Sequence, residues 1–430
     1  MPVLLDLLYA LGLCIGWPWL LYRRLKRGPS RATLRERFGS VPSRPVSATC
    51  VWIHGVSLGE INATRTIVAE LRRRSPDTVL VVSSTTDTGL EQARKLYPHL
   101  VTLRFPLDFS FAISNLLTRI RPSVIVLLEL EVWPNLIAIA TRRGIPVIIA
   151  NGRVTAEKSV RRFNWPVVRW FARRMFRSLQ WVGAQDEIYR QRFIELGVPP
   201  ERVEVTGSVK YDAAEVADHI AGQDELAQQM GIDPTKPLWV CGSTGPGEES
   251  MVLDAYARLL SQFPDLQLAV IPRKPERFEE VARLIVERGY ACLRRSTGAP
   301  LVPDGVSEPR PVFLGDTLGE LRKFYALATV VFVGRSLVPM GGSDVMEVAA
   351  LAKPVLVGPH TENFTEAVNL LLAEGGCRRV NSGDGLAAAV ADLLRHPQRR
   401  EQMGAAGRGA IISRRGATAR TVDYILGLLP

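Results

Sequence analysis

The first residues able to do chemistry form the run His54-Gly55-Val56-Ser57-Leu58-Gly59-Glu60, which joins an apolar stretch to a helical pattern. Gly55 and Gly59 permit a tight strand-to-helix turn. A carboxylate at such a turn can take the proton of a hydroxyl as a new bond forms, and Glu60 has that position. The spacing Ser57-x-x-Glu60 is also that of a capping box, which satisfies orphan N–H groups and needs no chemistry. Residue types divide the two readings evenly. A second acidic run, Glu129-Leu130-Glu131-Val132-Trp133-Pro134-Asn135, follows another apolar stretch. Its carboxylates could hold a polyol acceptor or position Glu60, or simply favour a helix start. Arg153 and Lys210 fall at later strand ends, where they could meet phosphates or carboxylates, and Ser57 and Gly59 are candidates for the same contacts.

The second half of the chain carries a different set. Gly242-Ser243-Thr244-Gly245-Pro246-Gly247 joins a strand to a helix, and backbone N–H groups there, with Ser243 and Thr244, could face a phosphate or carboxylate. Pro272-Arg273 ends an apolar run and puts a guanidinium at its carboxyl edge, suited to a nucleotide phosphate. Gly315-Asp316-Thr317-Leu318-Gly319-Glu320 and Gly341-Gly342-Ser343-Asp344-Val345-Met346-Glu347 each lead into a helical pattern. Glu347 could accept hydrogen bonds from ribose hydroxyls. Four such loops at successive strand ends exceed what turn chemistry alone requires.

These loops need elements to position them. Val51 to His54, Thr78 to Ser83, Ser123 to Leu128, Val147 to Ala150, Trp181 to Ala184 and Val203 to Thr206 read as strands. Helices fit Glu60 to Arg74, Leu90 to Leu96 and Asn135 to Arg143 between them. A polar segment from Asp212 to Pro237 carries the linker. A second series follows, with strands at Leu238 to Cys241, Gln267 to Ile271, Tyr290 to Leu293, Val312 to Leu314, Val330 to Val333 and Pro354 to Val357. Helices there fit Gly247 to Gln262, Pro275 to Arg288, Leu318 to Ala326, Val345 to Leu351 and Gly385 to Leu394, and Ser296 to Arg310 is a loop. The alternation predicts an α/β chain with two parallel sheets, each covered on both faces.

With 430 residues the chain exceeds one ordinary core, which predicts two to three domains. Its five cysteines are scattered without C-x-x-C or metal spacing, so they read as reduced buried thiols, and no metal site is expected. The net charge of +11 suits anionic partners and gathers at Arg23, Arg24, Lys26 and Arg27, at Arg72 to Arg74, and between Lys158 and Arg177. Val3 to Tyr22 is nearly all apolar, with Asp6 its only charge, and basic residues follow at once. Such a run could cross a hydrocarbon core, with the rest of the chain in the cytoplasm; Trp17, Pro18 and Trp19 fit a seat lying in the interface instead. A buried core helix is the plain alternative. Between Lys158 and Leu179, Arg161, Arg162, Arg169, Arg173, Arg174 and Arg177 alternate with Phe163, Trp165, Trp170, Phe171 and Phe176. That pattern fits a membrane-surface helix or an ordinary basic face over an apolar one.

In these motifs the chain resembles the 3-deoxy-D-manno-octulosonic acid (Kdo) transferases of lipopolysaccharide synthesis, glycosyltransferase family 30. The resemblance spans nearly the full length: H-G-V-S-L-G-E, E-x-E-x-W-P-N, I-P-R-x-P-E-R-F, G-D-T-x-G-E-L, S-L-V-P-x-G-G and A-L-A-K-P-V-L-V-G-P-H-T-E-N-F. It implies a GT-B fold: a membrane anchor over 1–27, an acceptor domain over 28–215, a nucleotide-sugar domain over 216–405, and a C-terminal helix in 406–430 returning to the first domain. It implies inverting, metal-independent transfer of Kdo from CMP-Kdo to a lipid A precursor at the cytoplasmic side of the inner membrane, with no cofactor. Carried over by residue, Glu60 is the catalytic base, and Pro272, Arg273, Leu318, Gly319, Glu320, Asp344, Val345, Met346 and Glu347 line the CMP site. The chain departs from the family pattern at Ser208, Gly245, Lys274 and Ser343 to Val345, all on the expected donor face. A related transferase with another nucleotide sugar, and a non-catalytic lipid-binding protein, are the competing readings. Nucleic acid is not an expected partner, because its binding needs basic tracks free to reach phosphates.

Overall fold

The computed structural model describes residues 5–12, 14–16, 34–41, 48–154, 160, 163 and 165–430. The apolar runs become strands because helices cover them on both sides, as parallel sheets require. β1 (Cys50–His54), β2 (Val79–Ser84), β3 (Val101–Arg104), β4 (Val124–Leu128), β5 (Val147–Gly152), β6 (Trp181–Ala184) and β7 (Val203–Val205) pair in the order β3-β2-β1-β4-β5-β6-β7, all parallel. Successive residues of β1 serve opposite faces, as a period of two demands. Trp52 packs with Ile113, Leu116 and Leu117 of α3 (Ser110–Ile120), and that core continues into α4 (Pro134–Arg142), α5 (Pro166–Arg177) and α6 (Glu187–Leu196). Val51 and Ile53 pack with Ile61, Ile67 and Leu71 of α1 (Leu58–Arg74) and Ala93 of α2 (Asp87–Leu96).

A second compact unit, Ala214–Ser413, has its own sheet. Its strands are β8 (Leu238–Thr244), β9 (Gln267–Pro272), β10 (Ala291–Arg294), β11 (Pro300–Leu301), β12 (Pro311–Leu314), β13 (Val330–Val333), β14 (Val355–Val357) and β15 (Cys377–Arg379). They run in the order β11-β10-β12-β9-β8-β13-β14-β15, parallel except where β11 meets β10. β3, β11 and β15 are strands where the sequence predicts none. These are short or edge strands whose mixed residues give no apolar run; Cys377–Arg379, for instance, exposes both arginines. Of the five cysteines, all free, Cys50, Cys241, Cys292 and Cys377 are buried and Cys14 is exposed.

The first unit is completed by the chain's end. It takes α7 (Val209–Ala213) and residues from Arg414 onward, so the return falls at 414 and not at 406. The reason is the continuous helix Pro397–Ser413, which packs on Met346–Ala350, Thr365–Ala373 and Gly383–Arg395 of the second unit. Asp212 fixes the return: its carboxylate accepts the N–H groups of Gly416 and Thr418, each at 2.6 Å, at the start of the last helix, Ala417–Gly427.

Residues 5–12 and 14–16 are helical. Asp6, the one charge in the apolar run, accepts from Ser110 N–H at 2.8 Å, from the Ser110 hydroxyl and from Asn135 Nδ2 at 2.9 Å. Tyr9 donates to Asp108 at 3.2 Å, while Leu7, Leu8, Leu11 and Ile15 are exposed. No described helix is long and apolar enough to cross a membrane. Residues 3–4, 13 and 17–22 of the expected span, its basic flank from Arg23 to Arg27, and Lys158, Arg161 and Arg162 of the internal candidate lie outside the described residues.

Replacing Asp212 with Ala should lower stability by about 1–2 kcal/mol, the usual effect of losing a helix cap. Thermal melting measures the loss, and limited proteolysis should show earlier cleavage near Arg414 and Arg415. An unchanged melt and digest would show that the last helix holds by its apolar face alone.

Candidate active site

Strand order reverses between β1 and β4. The helices that follow them leave toward opposite faces, and in doubly wound sheets ligands bind in the crevice that this opens. Glu60 follows β1, while Glu129 and Glu131 follow β4, so both acidic runs meet there. The capping box is complete. Ser57 Oγ accepts the Glu60 N–H at 3.3 Å, and Glu60 Oε1 accepts from Ser57 N–H at 3.2 Å and from Ser57 Oγ at 2.7 Å. Glu60 Oε2 accepts from Val56 N–H at 2.9 Å. A carboxylate has about four acceptor positions, so these three donors leave one on Oε2 for a hydroxyl. The cap and the base are therefore compatible: the cap aims the base.

Glu129 sits in a left-handed conformation with φ 56°. Its carboxyl is raised by burial first and then by Glu60, against the pull of Lys210 and Arg153. Glu131 is pushed up to about 7, by burial first and then by Glu60 and Glu129. The structure thus gathers Glu60, Glu129, Glu131, Arg153 and Lys210 into one electrostatic field, beside Ser57 and an exposed Gly59.

Two further groups complete the wall. His54 is fully buried with Nδ1 2.8 Å from Ser83 Oγ, which also accepts from Trp52 Nε1 at 2.8 Å. Burial lowers the His54 pKa to about 3, so the imidazole stays neutral. Asn151, unremarked in the sequence reading, is buried at the end of β5 with φ 56°. Its Oδ1 accepts from Ser208 Oγ and Val209 N–H, each at 3.3 Å, tying β5 to the helix that carries Lys210. An asparagine before glycine at a strand end was the available signal.

In the second unit the reversal lies between β8 and β13. Glu248, at the start of α8 (Glu248–Leu260), is wholly buried there. Its carboxylate accepts four backbone N–H groups: Gly245 at 2.8 Å, Arg335 at 2.5 Å, and Ser336 and Leu337 at 2.8 Å each. Glu248 is not among the residues predicted from the sequence, although Gly245-x-x-Glu248 repeats the reach-back spacing of Ser57-x-x-Glu60. On the β9 side, Arg273 N–H donates to the Thr244 carbonyl at 3.1 Å. Gly242 cannot carry a side chain, because its Cβ would stand 2.3 Å from the Tyr325 hydroxyl oxygen.

The expected nucleotide residues divide into two groups. Glu347 is raised by burial and then by Asp344, while Arg322 and Arg273 oppose the rise, so these four share one neighbourhood. Arg322, which the sequence does not single out, is itself held by the carboxylate and the carbonyl of Glu215. Asp344 accepts the Met346 N–H at 2.8 Å, and Val345 and Met346 are buried beneath it, as is Pro272 at the end of β9. The loop after β12 is differently made. Leu318 is 77% exposed and Gly319 has φ 86°. The Glu320 carboxylate is bound by Arg295 Nε at 2.8 Å, Thr317 at 2.7 Å and Lys323 at 3.1 Å, and this holds it near 2. Glu320 braces its own loop, leaving Leu318 and backbone groups to meet a ligand. Among the described residues no group of three or more His, Cys, Asp or Glu side chains could hold a metal ion.

Comparison with known proteins adds to this geometry. A family model described as 3-deoxy-D-manno-octulosonic-acid transferase (kdotransferase) matches residues 32–213. A 3-deoxy-D-manno-octulosonic acid transferase of Haemophilus influenzae is 34% identical over 402 residues, which cover 92% of this chain and 91% of the relative. Another, from Bordetella pertussis, is 34% identical over 426 residues and 95% of each chain. The crystal structure of a UDP-GlcNAc 2-epimerase from Neisseria meningitidis bound to UDP-GlcNAc superposes with a TM-score of 0.58 at 16% identity, over 88% of this chain and all of that one (100%). At that identity the likeness is one of fold, and the fold is GT-B.

The raised carboxyl gives a pH test. Below its ordinary value of 4.5 Glu131 costs the fold nothing; between 4.5 and about 7 the unfolded chain ionises it while the fold keeps it protonated, so stability falls across that window and levels off above it. Glu131→Gln removes that titration. Its melting temperature relative to the parent should rise between about pH 5 and pH 7 and level off above that. A difference that stays flat across that range would mean Glu131 titrates normally.

Proposed function

This chain belongs to the 3-deoxy-D-manno-octulosonic acid (Kdo) transferase family, and from that premise we propose that it moves Kdo from CMP-Kdo to a lipid A precursor of the lipid IVA type, with inversion and without metal. The observation that carries the reading is the Glu60 carboxylate, fixed by three donors with one acceptor position open, at the strand-order reversal of the first unit. A sugar hydroxyl is a weak nucleophile, so its proton must leave as its oxygen bonds. In the proposed step the acceptor hydroxyl gives its proton to Glu60 and its oxygen attacks the anomeric carbon of Kdo. The bond from that carbon to the phosphate oxygen breaks, and its electron pair departs with CMP. A single displacement inverts the anomeric centre. Glu129 and Glu131 hold the acceptor's other hydroxyls, with Arg153 and Lys210 toward its phosphates.

The nucleotide goes to the second unit on this reading. Arg273 neutralises the departing phosphate, Glu347 accepts from ribose, and Leu318 offers apolar surface to the base. Pro272, Gly319, Asp344, Val345 and Met346 shape the remaining wall, and Glu320 orders the Leu318 loop. A lipid acceptor also needs a membrane, and we place the protein at the cytoplasmic face of the inner membrane. The outward Leu7, Leu8, Leu11 and Ile15, on a segment tied down by Asp6, support an interfacial seat.

Glu60→Gln should reduce turnover with CMP-Kdo and lipid IVA by roughly 10²–10⁴ while leaving CMP affinity intact. Normal turnover with an earlier melt would leave Glu60 as a cap alone. For the membrane seat, Leu7→Gln with Leu11→Gln should reduce co-sedimentation with vesicles of anionic phospholipid and spare CMP affinity. Equal sedimentation of parent and variant would remove this segment from the membrane contact.

A further inference from the structure

Arg335 occupies a backbone conformation that an arginine enters only under constraint. Its φ is 59°, in the left-handed region where side chains other than glycine are strained. Both of its backbone groups are pinned: the N–H donates to Glu248 at 2.5 Å, and the carbonyl accepts the Gly342 N–H at 2.8 Å. The side chain consequently leaves toward the loop after β8, where a Cβ on Gly245 would stand 3.2 Å from Arg335 Cγ and 2.8 Å from Met340 Sδ. Arginine takes the volume that a side chain at 245 would fill.

Its guanidinium is only partly bonded. Nη2 donates to the Met340 carbonyl at 3.1 Å, whereas Nε is buried with no partner among the described residues. Among the described residues no carboxylate forms an ion pair with it. Buried donors are nearly always bonded, and a partly buried guanidinium ordinarily has an anion. Two hydroxyls on the adjoining loops share this condition. Among the described residues Thr244 Oγ1 and Ser343 Oγ have no partner, on residues 1% and 8% exposed. The loops are close: a Cβ on Gly334 would lie 2.6 Å from Thr244 Cα, and Ser343 follows the glycine that bonds Arg335. All of this lies at the strand-order reversal between β8 and β13, where ligands of such sheets bind.

We propose that Arg335, with the Thr244 and Ser343 hydroxyls, is a specificity site for the carboxylate of the donor's acidic sugar. The inference rests on the donor reading above and adds a residue to it. A carboxylate accepts a guanidinium edge and two hydroxyls together, since its two oxygens offer about four acceptor positions. The phosphate has its own cation in Arg273, which follows β9 and acts on Glu347, whereas Arg322 is held by Glu215. Arg335 therefore discriminates between acidic and neutral sugars, and Arg273 serves any nucleotide.

The substitution that tests this also relieves the strain. Glycine adopts φ near 59° without penalty, so Arg335→Gly should melt at the parent temperature or above. Its KM for CMP-Kdo should rise roughly 10- to 100-fold, the effect of losing a charge-assisted pair. Its affinity for CMP, read by calorimetry, should stay within roughly twofold of the parent. Arg273→Ala provides the contrast, with weakened CMP binding. Unchanged KM in Arg335→Gly overturns the proposal, as does an equal loss of CMP and CMP-Kdo affinity, which would move Arg335 to the phosphate. If the unaltered chain fails to turn over CMP-Kdo, the donor reading falls and this site with it; turnover by the unaltered chain separates the two failures.

Discussion

A carboxylate that accepts backbone N–H groups where a parallel sheet reverses its strand order is the interaction on which both units depend. At such a point two loops part toward opposite faces, and their N–H groups have no neighbouring strand to bond. Glu60 supplies acceptors for Val56 and Ser57 in the first unit. Glu248 does so for Gly245, Arg335, Ser336 and Leu337 in the second. Each is near a helix start, where the macrodipole favours negative charge, and each reaches back three residues. The difference between them is access. Glu248 has its oxygens occupied and no exposure, so it can only organise the loops that meet a ligand. Glu60 keeps an acceptor position, so the same device can also do chemistry.

Charge is distributed to match. In the first unit burial, and then the crowding of Glu60 and Glu129, raises the Glu131 carboxyl to about 7, while Lys210 and Arg153 pull against the rise of Glu129. In the second, several arginines are matched to carboxylates, Arg295 to Glu320, Arg277 to Glu249 and Arg322 to Glu215, while Arg273 faces Glu347 and Arg335 has no carboxylate partner among the described residues. Acidic surroundings suit a group that must accept a proton, and basic ones a group that must hold departing negative charge. The fold supplies neither property by itself, since the same architecture serves a UDP-GlcNAc 2-epimerase. The chemistry belongs to the side chains at the reversals.

What the sequence by itself determined was the alternation of elements and the residue types at their ends. Val124–Leu128 and Val330–Val333 could be read as strands because a helix-covered strand must be apolar on both faces, and that leaves an uninterrupted run. The loops after them were legible for the same reason, as the first polar residues beyond each run. The edge strands Val101–Arg104 and Cys377–Arg379 were illegible, because one-sided burial leaves a mixed pattern too short to separate from a loop. Whether Ser57-x-x-Glu60 is a cap or a base could not follow from spacing, since both readings require the same residues. Only the count of donors on each oxygen shows that the carboxylate is both held and open. Glu248, Asn151 and Arg335 have roles that arise from loops distant in sequence, which the strand orders β8-β13 and β5-β6-β7 bring together. Local pattern encodes which face of an element is buried; it does not encode which strand ends become neighbours. Tertiary structure decides that, because pairing order is fixed by packing the whole sheet at once.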